Sequence, residues 1–196
     1  MPSKLKIAVI PSTTRPTRFA DRPAKWLLDI AATRNDATFE FVDLRDYPMP
    51  FFEDETSPMW APPADETAVR WGQKIAEYDG FIFLTAEYNH GIPAVLKNAL
   101  DYAYNEFVRK PATFVGYGGV GAARAVEQLR LVLAEMQVAS LKHTVHINAG
   151  EFIAMLRDGK DFADFPYLDD TVGPMLDNLV WWASALKAGR DSRNQE

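Results

Sequence analysis

The chain has 196 residues, enough for one domain with a full-sized core and too few for two comfortable ones. At 47% hydrophobic and 12% aromatic it is globular rather than disordered, and the lack of cysteine excludes a disulfide framework, a thiolate metal site and a cysteine nucleophile. A net charge of −6 argues against nucleic acid as the main partner.

The start, MPSKLKIAVIPST, has too short an apolar run for a signal peptide or a membrane span. A cytoplasmic protein with no membrane partner is therefore expected. The first 25 residues nonetheless hold six bases, Lys4, Lys6, Arg15, Arg18, Arg22 and Lys25, against one acid, Asp21. A basic start on an acidic chain points to a local anion site. The histidines, His90, His143 and His146, lack metal-ligand spacing, so no metal is expected.

Leu5–Pro11 is a short apolar run and predicts a buried strand. Pro23–Thr33, with Ala24, Leu27, Leu28 and Ala31 at helical spacing, predicts a helix, and Thr38–Leu44 a second strand. Arg45–Pro63 carries five prolines (Pro48, Pro50, Pro58, Pro62, Pro63) and no periodicity. It reads as a rigid surface loop or ordered crossover, or as a wall of a site or partner contact, a role that Phe51, Phe52, Met59 and Trp60 would favour. Asp65–Tyr78 predicts a helix, and Gly80–Thr85 a third strand, apolar enough to be covered on both faces. A helix over Ala94–Phe107, a strand over Thr113–Tyr117, a helix over Gly121–Gln137, a strand over His143–Ile147 and a helix over Thr171–Lys187 follow. From Gly189 the chain is polar and predicted to fray. Residues 1–190 then make one domain and 191–196 a polar tail.

This βα alternation predicts an α/β fold, a five-stranded parallel sheet with helices on both faces. Right-handed crossovers make 2-1-3-4-5 the natural strand order. Ligands of such sheets bind beyond the carboxyl ends of the strands at the switch point, here between the first and third strands. Three loops therefore matter.

The loop after the first strand, Pro11 to Ala20, holds the hydroxyls Ser12, Thr13, Thr14 and Thr17, the arginines Arg15 and Arg18, and no glycine. Hydroxyls, guanidinium groups and a following helix N-terminus suit a phosphate, although an ordinary helix cap with solvated arginines uses the same residues. The loop after the third strand offers Glu87 as a charge or ion-pair partner, Tyr88 as an aromatic face, Asn89 as an amide and His90 as an acid, base or cap. The loop after the fourth strand, Gly116-Tyr117-Gly118-Gly119-Val120-Gly121, formally matches G-x-G-x-x-G. It follows the wrong strand for a dinucleotide fingerprint, and no acid ends the next strand. Close backbone approach to a flat ligand, or a tight strand-to-helix turn, fits those glycines better.

Together these loops resemble the NADPH-dependent FMN reductase family, in its quinone and azo-dye reductase-like branch. The family's P-E-Y-N-x-x-x-P-x-x-L-K-N-A-x-D-W motif corresponds to Ala86-Glu87-Tyr88-Asn89-His90-Gly91-Ile92-Pro93-Ala94-Val95-Leu96-Lys97-Asn98-Ala99-Leu100-Asp101-Tyr102. Its G-S-x-R loop corresponds to Ser12-Thr13-Thr14-Arg15. Ser12, Thr17 and Ala86 depart from that pattern, standing where the family has two glycines and a proline. The resemblance covers about residues 5 to 150. It implies a flavodoxin-like three-layer sandwich and an FMN cofactor. Ser12, Thr13, Arg15 and Arg18, with the Phe19 and Ala20 backbone, would hold the phosphate. Glu87, Tyr88, Asn89 and His90 would lie along the ring, and Gly118 and Gly119 would donate N–H groups to its pyrimidine side.

The resemblance also implies a hydride donor, NADPH or NADH, and a small-molecule electron acceptor: a quinone, azo compound, metal oxyanion, free flavin or oxygen. Both would use one face of the ring in ping-pong fashion, and no catalytic side chain is then required. Lys97, Asn98 and Asp101 match positions the family often uses near a subunit interface, and a homodimer or homotetramer is expected, which the aromatic-rich helix Tyr102–Phe107 and the proline loop fit. A simple Lys97–Asp101 helix pair is the plainer alternative. Two other functions fit the residues: a flavodoxin-type electron carrier, which the acidic Asp158–Asp170 stretch would suit, and a non-catalytic nucleotide-binding domain.

Overall fold

The computed structural model describes residues 4–193. Five parallel strands, β1 (Leu5–Pro11), β2 (Ala37–Phe41), β3 (Gly80–Ala86), β4 (Pro111–Tyr117) and β5 (Ala139–Ile147), form one sheet in the order β2-β1-β3-β4-β5. Helices α1 (Asp21–Ala31), α2 (Glu66–Ala76), α3 (Ala94–Asp101) and α4 (Ala123–Glu135) lie in the connections. Helices α5 (Ala149–Arg157) and α6 (Asp169–Arg193) follow the last strand.

The period of two along each strand divides the core. Ile7, Val9, Ile82, Leu84, Val115 and Val145 face α1 and α6, which bury Ala24, Leu27, Met175, Leu176 and Leu179 against them. Ala8, Ile10, Phe81, Phe83, Ala112 and Phe114 face α2, α3 and α4, which bury Trp71, Ile75, Leu96, Leu100, Leu129 and Leu133. Both faces of β3 and β4 are covered, and every residue of those two strands is buried.

Four sequence expectations are corrected. The second strand stops at Phe41 rather than Leu44, because the Asp43 side chain accepts the Arg45 N–H and caps a 3-10 turn over Leu44–Asp46. The third helix stops at Asp101 rather than Phe107. Turns after it let Phe107 bury its ring 4.7 Å from that of Phe81. Helix α5 had no counterpart in the sequence reading; its Asn148 N-cap makes no side-chain bond, and Ile153 and Leu156 stay exposed, so its pattern is weak. The polar end does not fray at Gly189. Helix α6 continues to Arg193, with Lys187 and Arg190 paired to Asp79 at 3.2 and 2.8 Å. Residues 194–196 of the expected tail lie outside the described residues.

The proline-rich crossover is ordered against α3. Asn98 Nδ2 donates to the Pro50 carbonyl at 2.6 Å, and its Oδ1 accepts the Phe52 N–H at 2.9 Å. Lys97 and Asp101 form the helix pair, at 2.7 Å. A groove of about 730 Å3 runs between this crossover, α3 and α4, lined by Phe52, Met59, Leu100, Tyr104, Leu131 and Val132 among others.

Candidate functional site

The sheet register sets Pro11 beside Leu84, and Ala86 beside Tyr117, so the loops leaving β1, β3 and β4 emerge at one level. Side chains then lace them together. Ser12 is fully buried; it donates its N–H to the Leu84 carbonyl at 2.9 Å, and its Oγ accepts the Ala86 N–H at 3.2 Å. Thr13 Oγ1 lies 3.4 Å from the Tyr117 hydroxyl. Burial pushes the Tyr117 phenol up to about 12, so it stays protonated at neutral pH. Phe19 packs its ring 5.2 Å from Tyr117 and 4.8 Å from Phe152 of α5.

The first loop separates its two arginines. Arg15 is exposed, and among the described residues its side chain has no hydrogen-bond or ion-pair partner. Arg18 is the opposite, with a side chain 1% exposed. Its guanidinium grips both Asp43 oxygens at 2.7 and 2.5 Å, meets Asp21 at 2.7 Å, and donates to the Thr13 carbonyl at 2.7 Å. Burial alone would raise the Asp43 carboxyl, but Arg18 and the Arg45 N–H hold it below the usual range. A fork engaged in this way is not available to a phosphate, so the expectation of Arg18 as a direct phosphate ligand is corrected. Among the described residues, the N–H groups of Thr13, Thr14, Arg15, Thr17, Phe19 and Ala20 make no hydrogen bond. Unbonded donors of this kind, next to a helix start, are the groups that could hold an anion.

The second loop is a tight two-residue turn. Tyr88 and Gly91 exchange both backbone hydrogen bonds at 3.0 Å, and the central residues Asn89 and His90 have φ of 50° and 68°. Positive φ at both centres is the geometry of a type I′ turn, which favours asparagine. The turn presents Tyr88, 39% exposed, at its rim. His90 Nε2 accepts from Arg124 Nη1 at 2.7 Å, since a guanidinium can only donate. Glu87 turns away from the rim. Its carboxylate accepts the N–H groups of Arg124 and Ala125 at 3.1 and 3.3 Å and pairs with the Arg124 guanidinium. Burial would raise this carboxyl; Arg124 and the helix N–H groups outweigh it and hold the group below its ordinary value. Glu87 thus caps α4 rather than lining an open face.

The third loop divides its glycines. A Cβ on Gly116 would lie 2.1 Å from the Gly121 carbonyl oxygen, and one on Gly121 would lie 2.7 Å from His146 Cβ. Those two serve packing. Gly118 and Gly119 have nothing within 4 Å of a built Cβ, so they border open space. The Gly118 N–H, however, is donated to the Ile147 carbonyl at 3.1 Å. Its expected donation to a ligand is corrected for that reason. Among the described residues, the N–H groups of Gly119 and exposed Val120 are unbonded and could serve in its place.

Sequence reasoning missed Val120, Arg124, Asp43 and Arg45. The last two carry a signal in the sequence: in a 2-1-3-4-5 sheet the loop after β2, whose Arg45–Pro63 part reads only as a crossover or a site wall, lies next to the loop after β1.

Comparisons with known proteins converge on one family. The sequence model described as NADPH-dependent FMN reductase matches residues 5–151. An NAD(P)H-dependent FMN reductase of Schizosaccharomyces pombe is 37% identical over 148 residues, covering 71% of this chain and 74% of that protein. A 2-hydroxy-1,4-benzoquinone reductase of a Burkholderia species is 35% identical over 141 residues, covering 68% of this chain and 73% of its own. Among solved structures, the flavoenzyme NAD(P)H:(acceptor) oxidoreductase FerB from Paracoccus denitrificans superposes with a TM-score of 0.69 at 27% identity, covering 92% of this chain and 98% of that one. With the fold, the loop chemistry and the sequence match agreeing over most of its length, the chain belongs to the NADPH-dependent FMN reductase family.

Proposed function

We propose that the Ser12–Ala20 loop holds the phosphate of FMN and that the flavin ring lies between the Tyr88–Asn89 rim and the Gly119–Val120 backbone. The observation that carries this is the donor set. Among the described residues, the unbonded N–H groups of Thr13, Thr14, Arg15, Thr17, Phe19 and Ala20, the Thr13 hydroxyl and the unpaired Arg15 fork all belong to this one loop. They match a doubly charged phosphate monoester. The open space over Gly118 and Gly119 suits a flat ring.

When bound, FMN supplies the redox chemistry, accepting hydride from NAD(P)H and passing electrons to a small acceptor. The chain's part is orientation and electrostatics. The Gly119 and Val120 N–H groups face charge that grows on the ring's pyrimidine side. Glu87 keeps α4, and with it the glycine loop, in register with the Tyr88 turn. His90 is occupied by Arg124, so it is not assigned a proton-transfer role. The Burkholderia relative, a quinone reductase by name, supports a quinone-class acceptor.

We also infer that two copies pair across the α3–α4 groove, where Leu131 is 75% exposed beside Phe52, Met59 and Leu100.

The test of the flavin reading is spectroscopic. The purified chain is titrated with FMN, reduced with NADPH without oxygen, then given 1,4-benzoquinone. Bound FMN should bleach on NADPH and recover on quinone. Binding without bleaching would favour an electron carrier, and no binding would overturn the reading. Arg15→Ala should weaken FMN affinity about tenfold or more, as expected for a lost charge-assisted fork.

A further inference from the structure

The first loop holds no glycine, and no residue from Ser12 to Ala20 has a positive φ. Something other than glycine's freedom must turn its amides to one side. Three consecutive carbonyls show what does. The Thr13 carbonyl accepts from Arg18 Nη1 at 2.7 Å, the Thr14 carbonyl from Arg45 Nε at 3.3 Å, and the Arg15 carbonyl from Arg45 Nη2 at 2.6 Å. Both arginines share one pair of aspartates. Asp43 chelates Arg18 and accepts the Arg45 N–H at 3.0 Å, while Arg45 Nη1 lies 3.8 Å from Asp21 and 4.0 Å from Asp43. Arg45 and Asp43 come from the loop after β2, the neighbour of β1 in the sheet.

In a planar trans peptide the carbonyl and the following N–H point in opposite directions. Fixing the Thr13 and Thr14 carbonyls toward the guanidinium groups therefore turns the N–H groups of Thr14 and Arg15 the other way. The Arg15 carbonyl is held as well, and Pro16 after it has no N–H to misdirect. We propose that Arg45, Arg18 and Asp43 are positioning residues for the FMN phosphate loop: two guanidinium groups clamp three loop carbonyls outward and so aim its amides at the phosphate. The clamp rests on the phosphate reading above, and it preorganises the donors before the ligand arrives.

Arg45 is the member to test, because its side chain is 35% exposed while that of Arg18 is buried. FMN and riboflavin affinities are measured by quenching of flavin fluorescence on the full-length chain freed of flavin, for wild type, Arg45→Met and Arg45→Lys. Riboflavin shares the ring and lacks the phosphate. Arg45→Met should bind FMN about tenfold more weakly with riboflavin affinity unchanged, the scale of lost charge-assisted bonds. Arg45→Lys keeps the charge and loses the fork, so it should resemble Arg45→Met rather than wild type. Wild-type FMN binding by Arg45→Lys would mean that charge alone suffices and would overturn the clamp. Equal loss of FMN and riboflavin, or failure of both variants to fold, would make Arg45 a merely structural residue and overturn it too. If wild type itself does not prefer FMN to riboflavin, the phosphate reading fails first, and the clamp with it.

Discussion

Glu87 and Arg124 join two of the three site loops through one carboxylate. Glu87 leaves β3, Arg124 lies in the first turn of α4, and the carboxylate takes both a backbone N–H and the guanidinium of the arginine. The macrodipole of α4, which could have attracted a ligand's phosphate, is instead neutralised from within the chain.

This pair makes stability depend on pH in a defined direction. The Glu87 side chain is 9% exposed, and its folded pKa lies below the ordinary 4.5. A carboxylate depressed on folding stabilises fully above its unfolded pKa and loses that contribution as pH falls through its folded value. Glu87→Gln should cost about 1–2 kcal/mol at pH 7, the scale of a helix cap with one charged partner. Urea unfolding of both proteins at pH 7 and in steps below pH 4.5 should show the difference shrinking with acid. A gap that stays constant would show that the charge of Glu87 contributes nothing.

The glycines of the third loop separate stability from binding. Gly116→Ala places a methyl 2.1 Å from a backbone oxygen, which no side-chain rotation relieves, so a loss of about 3 kcal/mol or more is expected. Gly119→Ala meets nothing on the chain and needs no positive φ, so its stability should stay within about 0.5 kcal/mol of wild type. The same methyl enters the space assigned to the flavin, and FMN affinity should fall. Thermal melts without flavin and an FMN titration read the two effects apart. A Gly119→Ala variant that binds FMN like wild type would remove that glycine from the ring site.

The sheet order was legible because Gly80–Thr85 and Leu5–Pro11 are mostly apolar runs spaced by amphipathic helices, and right-handed crossovers leave few orders open. The long match around Glu87–Tyr102 and the arginine-rich first loop pointed to the family, which the comparisons show, and to the loops proposed as the site. What pattern could not give was the partner of each charge. Arg15 and Arg18 stand alike among hydroxyls, yet Asp43, 25 residues beyond Arg18, occupies one and leaves the other unpaired. Gly116 and Gly118 also read alike, and only the packing of Gly116 against the Gly121 carbonyl distinguishes their tasks. The polar end looked frayed because its anchor, Asp79, lies more than a hundred residues away.

Lys110 gives an independent test of the buried edge opposite the site. It is 7% exposed and donates to the Ile75 and Ala76 carbonyls, both at 3.3 Å, at the end of α2. Burial first, then Arg190 and Lys187, lower its pKa from 10.5 to about 8 against the pull of Asp79 and Glu106. Between those values the unfolded chain binds the extra proton, so this group's contribution to stability rises with pH across the window, by about 3 kcal/mol in full. Relative to Lys110→Met, wild type should gain stability between pH 8 and pH 10 in urea unfolding. A difference independent of pH would mean that Lys110 titrates as an ordinary lysine.

The paired-copy inference turns on Leu131. Three quarters of this residue faces solvent on α4, beside a groove lined by Phe52, Met59, Leu100, Tyr104 and Val132. A leucine so placed has lost almost none of its transfer cost to the fold, whereas a partner covering it would recover about 1.5–3 kcal/mol per chain. Two-fold pairing brings each Leu131 to the partner's matching surface, so one substitution acts twice. Leu131→Glu should leave the monomer fold intact, because the new carboxylate is solvated there, and should abolish pairing, because burying two unpaired carboxylates costs several kcal/mol. Sedimentation equilibrium should give twice the chain mass for wild type and the single-chain mass for the variant, with unchanged circular dichroism. Wild type sedimenting as one chain, or Leu131→Glu still pairing, would place the interface elsewhere.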